Sequence, residues 1–131
     1  MIGCLTSAPI YKIENVKKVG AEQGRTEFHA VATEDHYNPI RSAHGGWVAT
    51  VLDNALASCV HTAIPQGSGF VTIEFKVNII GSVTSRTSRL TCEGKLVHIG
   101  RSVATSEAKS TGPDGKLIAH GVETCSIFPL P

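Results

Sequence analysis

The sequence has few aromatic residues and no long apolar run. Phe, Trp and Tyr make up only 5% of its 131 residues, and no apolar stretch approaches the ~20 residues of a membrane-spanning helix. Residues 1–11 lack a basic stretch followed by an apolar one, so we expect no secretory signal. These absences predict a cytoplasmic protein with no membrane partner.

Neither sign of charge dominates. Twelve Lys and Arg face eleven Asp and Glu, which gives a formal net charge of +1. Nucleic-acid-binding domains usually carry a basic surplus, so we expect no nucleic-acid partner, although a local basic patch for a phosphorylated small molecule remains open. The length and the 41% of hydrophobic residues are typical of one globular domain. We expect one domain over residues 1–131, with residues 1–24 as an irregular N-terminal segment.

The cysteines show no paired spacing. Cys4, Cys59, Cys92 and Cys125 form no C-x-x-C motif, and no His stands at zinc-finger spacing from them. We therefore predict no metal site and expect reduced, mostly buried thiols.

The strongest periodic signal lies in residues 44–63. Apolar residues recur there at helical spacing on one broad face: Val48, Val51, Leu52, Ala55, Leu56, Cys59, Val60 and Ala63. Pro65 ends the pattern. The opposite face is small and mildly polar, without the Lys and Glu of a solvated helix, which predicts a helix enclosed on more than one side.

The remaining periodic segments alternate as strands do. Such runs cover residues 26–33, 71–79, 86–98, 101–110 and 117–128. Gly94 inside the third run indicates a bulge or a close backbone approach. The short links predict antiparallel neighbours, and one apolar helix must pack on the sheet. We predict an α+β fold, with a five- to six-stranded antiparallel sheet wrapped around one long helix. Its uncovered face and edges favour a homo-oligomer.

Five segments sharpen this fold into a family. Residues 38–46, ending in His44-Gly45-Gly46, resemble the PaaI-like acyl-coenzyme A (acyl-CoA) thioesterases of the hotdog fold. So do residues 50–53, 72–78, 100–104 and 115–121. None of the five is specific alone, but their order and spacing together are. The resemblance implies hydrolysis of the thioester of a small, medium-chain or aryl acyl-CoA.

Asp53 is the candidate catalytic carboxylate. It stands at the edge of the apolar stripe, where partial desolvation would make it more basic. Taken alone, it is more readily a solvated acid on a helix face. The resemblance favours catalysis, with Asp53 either deprotonating water or attacking the carbonyl carbon. No second acid lies on this helix, which argues against a paired-carboxylate mechanism.

The resemblance assigns roles to four further residues. The Gly45 amide, at the positive end of the helix, would polarise the thioester carbonyl. Asn38 would contact the thioester or orient water, and Thr72 would position the water or carboxylate. His44 would hold the loop or Asp53 in place, and a helix-capping role is equally open for it. In the family the site straddles two subunits, which implies a homodimer assembling into a homotetramer.

CoA is here part of the substrate, and no other cofactor is implied. Basic residues around the third strand run are candidates for its phosphates. The Gly100-Arg101 pair matches the family, and Arg86 is a further candidate. Solvated charges at a sheet edge explain them nearly as well. Three residues depart from the family pattern: Arg41 stands where Gly is usual, Ser82 where Pro is common, and Arg86 where Gly is.

Two other functions fit the same fold. A non-catalytic acyl-CoA or lipid-binding protein would need no carboxylate, so Asp53 together with Gly45 favours catalysis. A dehydratase would need a His and an acid together, whereas His44 and Asp53 stand nine positions apart, which makes their partnership poor within one subunit but not across subunits. Trp47, Phe70 and Phe75 are candidates either for an acyl pocket or for the core.

Overall fold

The computed structural model describes residues 8–131, which form one six-stranded antiparallel sheet packed on one long helix. In chain order the elements are α1 Pro9–Glu14, β1 Val16–Glu22, β2 Arg25–Ala30, a 3-10 turn Glu34–His36, α2 Gly45–His61, β3 Ser68–Ile79, β4 Leu90–Ile99, β5 Val103–Thr111 and β6 Leu117–Pro129. The strand order is β1-β2-β4-β5-β6-β3, and every neighbouring pair is antiparallel. The predicted hotdog architecture is confirmed.

The apolar stripe of α2 forms the centre of the core. Val51, Leu52, Ala55, Leu56 and Cys59 are completely buried, and the helix contacts all six strands. Burying each large apolar side chain contributes roughly 1.5–3 kcal/mol. The helical period therefore identified the residues that face the sheet.

Gly94 marks the closest approach between the sheet and α2. A Cβ atom at this position would overlap the Ala55 carbonyl oxygen. The same oxygen accepts a hydrogen bond from Thr26 Oγ1 at 3.0 Å. The strand register is continuous through Gly94, and the irregularity in this pair of strands lies between Leu96 and His98. Of the two expectations for Gly94, the close approach is correct.

The N-terminal segment is more ordered than its sequence indicates. The expectation of an irregular segment over residues 1–24 is wrong for its described part, which contains α1 and β1. Trp47 Nε1 donates to the Glu14 carbonyl oxygen at 2.9 Å, and Asn54 Nδ2 donates to the Glu14 carboxylate. A six-residue helix is too short to show a period, so these tertiary contacts were needed to reveal it.

The third strand run also begins later than its alternation suggests. β4 starts at Leu90, so residues 86–89 belong to the connection that follows β3. The tight turn after β5 forms as expected, with Gly115 at φ +82°.

β3 is an edge strand that leaves apolar side chains exposed. Val71, Ile73, Phe75 and Ile79 are each 41–58% exposed, and β3 pairs with β6 on one side only. A twelve-residue apolar edge is unusual unless something covers it. This strand is the feature of the fold that most calls for a partner.

Three of the four cysteines lie in the described residues. Cys59, Cys92 and Cys125 are free and buried, as expected, whereas Cys4 lies outside the described residues. Across residues 8–131, no helix is both long and apolar enough to cross a membrane.

Candidate active site

The N-terminus of α2 presents an unpaired backbone amide. His44 is the N-cap, and its Nδ1 accepts the Gly46 N–H at 2.8 Å. Because Nδ1 acts as an acceptor, the proton of the neutral ring lies on Nε2. Gly45 is the first helical residue, and its exposed N–H has no hydrogen-bond partner within residues 8–131. An amide in this position can polarise an oxygen atom of a ligand.

Asn38 holds the loop that leads into α2. Its Oδ1 accepts the Ile40 and Ser42 N–H groups, each at 3.1 Å, and its Nδ2 donates to Ser42 Oγ at 3.0 Å. Asn38 was expected to contact the thioester, but in this protomer both ends of its side chain are engaged within the loop. One N–H of Nδ2 is left for another partner.

Arg41 has a backbone conformation that favours glycine. Its φ is +64°, a left-handed conformation that costs a non-glycine residue about 1–2 kcal/mol. The side chain donates to Glu34 Oε1 at 3.1 Å and lies over the Tyr37 ring. The loop therefore keeps the glycine conformation with arginine in place.

Asp53 lies halfway along α2 and is partly buried. Its Oδ1 is inaccessible to solvent and has no hydrogen-bond partner in the described residues. The side chain lines a pocket of about 320 Å³, which is within the usual size of small-molecule sites. The other lining residues are Ala8, Ile10, Tyr11, Lys18, Asn54, Ala57, Ser58, His61 and Phe70. The small polar face of α2 is thus enclosed by the N-terminal segment, in agreement with the prediction.

Two of the residues that line this pocket, His61 and Phe70, have aromatic side chains. His61 contacts the Phe70 ring, with 5.9 Å between their centroids. Burial, and then the nearby charge of Lys18, lower the pKa of His61, so its imidazole is neutral at pH 7. Of the three aromatic residues considered for an acyl pocket, Phe70 lines this one, Trp47 is in the core and Phe75 is exposed on β3.

Glu123 on β6 is a second carboxyl group beside Asp53. It is completely buried, and burial, followed by a hydrogen bond to Asp53 and the charge of Asp53, raises the pKa of Glu123 to about 9. The absence of a second acid on the helix therefore does not argue against paired carboxylates, because the second acid comes from β6. The sequence did carry a signal, since Glu123 shares the inward face of β6 with Gly121, Cys125 and Ile127.

Thr72 on β3 lies beside Glu123. It stands opposite Cys125 in the β3–β6 register, next to an irregularity between Thr72 and Glu74. Its hydroxyl group interacts with the Glu123 carboxyl group. The structure thus brings together Asp53, Thr72 and the unexpected Glu123.

The remaining predicted site residues do not join this group within one protomer. Asn38, His44 and Gly45 lie before or at the start of α2, and Asp53 comes eight residues after Gly45 in the helix, an axial distance of about 12 Å. One thioester carbonyl cannot contact both ends at once.

The residues predicted to hold the CoA phosphates are also apart. Arg86 precedes the ten-residue β4, and Gly100 and Arg101 follow it, so about 30 Å of strand lies between them. All three are exposed. The Gly100–Arg101 turn leads into β5, whose first residue, Val103, pairs with Ser126 beside Val71 of β3. It therefore lies at the end of the sheet where Phe70 lines the pocket. In residues 8–131, no three His, Cys, Asp or Glu side chains gather as a metal site would require.

Comparison with known proteins identifies the family. Residues 41–119 match the model of the thioesterase superfamily, so the chain belongs to that superfamily. A search of curated proteins found no match.

Solved structures share the fold at low sequence identity. AziG from S. sahachiroi superposes with a TM-score of 0.90 at 17% identity, over 94% of this chain and 98% of that one. The E. coli PaaI protein of the phenylacetic acid degradation operon gives 0.84 at 16%, over 95% and 89%. A hypothetical thioesterase from Streptococcus pneumoniae, solved with coenzyme A, gives 0.77 at 21%, over 89% and 88%.

Proposed function

We propose that this protein is an acyl-CoA thioesterase that hydrolyses a small, medium-chain or aryl acyl-CoA to the free acid and CoA. The observation that carries the proposal is the placement of Asp53. This carboxylate has a buried oxygen without a donor and lines a pocket of about 320 Å³. A partly desolvated carboxylate facing a cavity is suited to act as a base or a nucleophile.

The proposed chemistry divides between the two ends of α2. Asp53 takes a proton from water as the oxygen attacks the carbonyl carbon, or attacks that carbon itself. The developing oxyanion is stabilised by the unpaired Gly45 amide and the positive end of the helix. Collapse of the tetrahedral intermediate expels the CoA thiolate, which takes up the proton that Asp53 removed from water. On the nucleophilic route the thiolate takes up a proton from solvent, and water then hydrolyses the acyl anhydride on Asp53 to the free acid.

This division requires two protomers. The 12 Å or so of helix between Gly45 and Asp53 prevents both from serving one carbonyl within a protomer. The exposed apolar side chains of β3, such as Ile73 and Phe75, support a dimer through this edge. In such a dimer, we propose that Asp53 and Thr72 of one protomer meet Gly45, Asn38 and His44 of the other, and that two dimers form a tetramer.

The remaining contacts follow from the pocket and the nearby turn. Ile10, Tyr11 and Phe70 supply apolar surface for an acyl or aryl group. Arg101 is the preferred phosphate contact, because its turn lies at the pocket's end of the sheet. Arg86 would serve only a substrate that reaches the opposite end, or one bound across the dimer.

The test is thiol release from a panel of short, medium, long-chain and aryl acyl-CoAs. Asp53→Asn preserves shape and should lower kcat at least about a hundredfold on every substrate that the wild type hydrolyses. Asp35→Asn changes an exposed aspartate and serves as the matched control. Turnover that survives Asp53→Asn would contradict the assigned site. Binding of acyl-CoA without any turnover would instead establish a non-catalytic binding protein.

A further inference from the structure

Glu123 occupies a position where an ionised acid is poorly accommodated. Its side chain is 0% exposed and lies on the inward face of β6, between Gly121 and Cys125. Acidic side chains are almost never fully buried unless they are paired. Glu123 is therefore expected to have a partner that stabilises it in the core.

The two neighbouring carboxyl groups have few hydrogen-bond donors. Glu123 Oε2 accepts the weak Cys125 S–H at 3.4 Å, and the Thr72 hydroxyl group also interacts with the Glu123 carboxyl group, while Glu123 Oε1 and Asp53 Oδ1 are buried without partners in the described residues. Two ionised carboxylates offer only acceptors to each other. A proton held on one of them converts the contact into a hydrogen bond and removes the repulsion.

The surroundings decide which carboxyl group holds that proton. Besides burial, the groups that act on Glu123 are Asp53, Cys125 and Thr72, and none of them is a cation. Cys59 on α2 also faces Glu123, and burial raises the pKa of the Cys59 thiol to about 11 and that of Cys125 to about 12. Both thiols are therefore neutral at pH 7.

The environment of Asp53 differs in its access to the pocket. Its other acidic neighbour is Glu14, at the end of α1, whose charge interacts with that of Asp53, and the pocket beside Asp53 is also lined by Lys18 and His61. Asp53 therefore borders a cavity that Lys18 also lines, whereas the groups that act on Glu123 are Asp53 and neutral side chains. The proton belongs on Glu123.

We propose that Glu123 stays protonated at neutral pH and donates a hydrogen bond to the Asp53 carboxylate, which makes it a positioning residue for the thioester reaction. This role rests on the proposed function of Asp53. The bond fixes the rotamer of Asp53 and leaves its second oxygen for water or the carbonyl carbon. Glu123 keeps its proton throughout the cycle and does not touch the substrate.

The decisive variant is Glu123→Gln, because a neutral amide keeps both the shape and the donor. At pH 7 we expect kcat/KM within about threefold of the wild type, since the hydrogen bond is retained. The wild type should lose activity as the pH rises through about 9, where Glu123 ionises, and Glu123→Gln should not. Glu107→Gln, at an exposed glutamate of β5, should keep the wild-type profile.

A merely structural role would give different results. An unchanged alkaline limb in Glu123→Gln would overturn the proposal. So would a loss at pH 7 as large as that of Asp53→Asn in a folded variant, because it would mean that the ionised form is the one required.

A second measurement does not depend on turnover. Since the pKa of Glu123 is raised, the folded protein holds a proton that the unfolded chain releases above about pH 4.5. The contribution of Glu123 to stability is therefore lost as the pH rises from about 4.5 to 9. The urea midpoint of the wild type should fall more steeply over this range than that of Glu123→Gln, and equal slopes would overturn the proposal.

Carboxyl-labelled glutamate extends this test to the wild type alone. The 13C spectrum should contain one glutamate that titrates near pH 9, and this holds even where Glu123→Gln does not fold. Absence of such a resonance would overturn the proposal. If the wild type hydrolyses no thioester, the proposed function fails, and the urea and 13C results still decide the protonation of Glu123.

Discussion

The two ends of the proposed site are built in opposite ways. At the start of α2, the hydrogen-bond partners of the Asn38 and His44 side chains lie within four residues of them in the chain, and Gly45 is exposed. At the middle of α2, Asp53 meets Glu123 from β6, which also interacts with Thr72 from β3, across large separations in sequence. The first, open end is exposed and formed by residues close together in the chain, whereas the second is desolvated and formed by residues from distant segments. A local site is held by caps and turns, and a tertiary site depends on the whole sheet.

The largest effect in the open end should come from removing the Gly45 amide hydrogen. Gly45→Pro does this with little strain, because proline is favoured at the first helical position and His44 has the extended ψ of 139° that a residue before proline prefers. We expect kcat to fall about a hundredfold to a thousandfold, as for other oxyanion donors.

Gly45→Ala is the control for that substitution. It keeps the N–H, and its Cβ would lie 3.3 Å from the flexible end of Ile79, so only a small adjustment is needed. If the proline and alanine variants hydrolyse thioesters equally well, the Gly45 amide does not contact the oxyanion, and the open end is structural.

The smaller effect should come from His44. His44→Ala removes the side chain that accepts the Gly46 N–H, so the free energy of unfolding should fall by about 1 kcal/mol, the usual value of an N-cap. His44→Asn should retain most of it, because Asn is a favoured cap. Urea unfolding measures both variants. A large loss of turnover in His44→Asn with unchanged stability would show that His44 does more than cap the helix, and equal losses of stability in the two variants would contradict the capping role.

The same contrast explains what could be predicted from the sequence. The stripe from Val48 to Val60 has a helical period, and the alternation of residues 71–79 has the period of a strand, so the central helix and most strands were predictable. Gly94 in a strand run indicated a close backbone approach, which the structure places at Ala55. These features depend on the spacing of nearby residues, which can be read from the sequence without knowledge of the fold.

The remainder depends on contacts between distant segments. α1 has one and a half turns or so and is held by Trp47 and Asn54, which no local pattern reveals. Glu123 appears in the sequence as one acid on an otherwise inward strand face, but its distance from Asp53 in the chain is 70 residues. Arg86 and Arg101 seemed close because they flank one strand run, and the length of β4 separates them.

The most direct test of this account is complementation between the two ends. Asp53→Asn and Gly45→Pro should each be nearly inactive, and unfolding and refolding them together in equal amounts gives mixed dimers. A site that straddles two protomers then pairs an intact Asp53 with an intact Gly45 once in each mixed dimer, so about a quarter of wild-type turnover should return. A mixture no more active than the average of the two variants alone would contradict the account and place the whole site within one protomer.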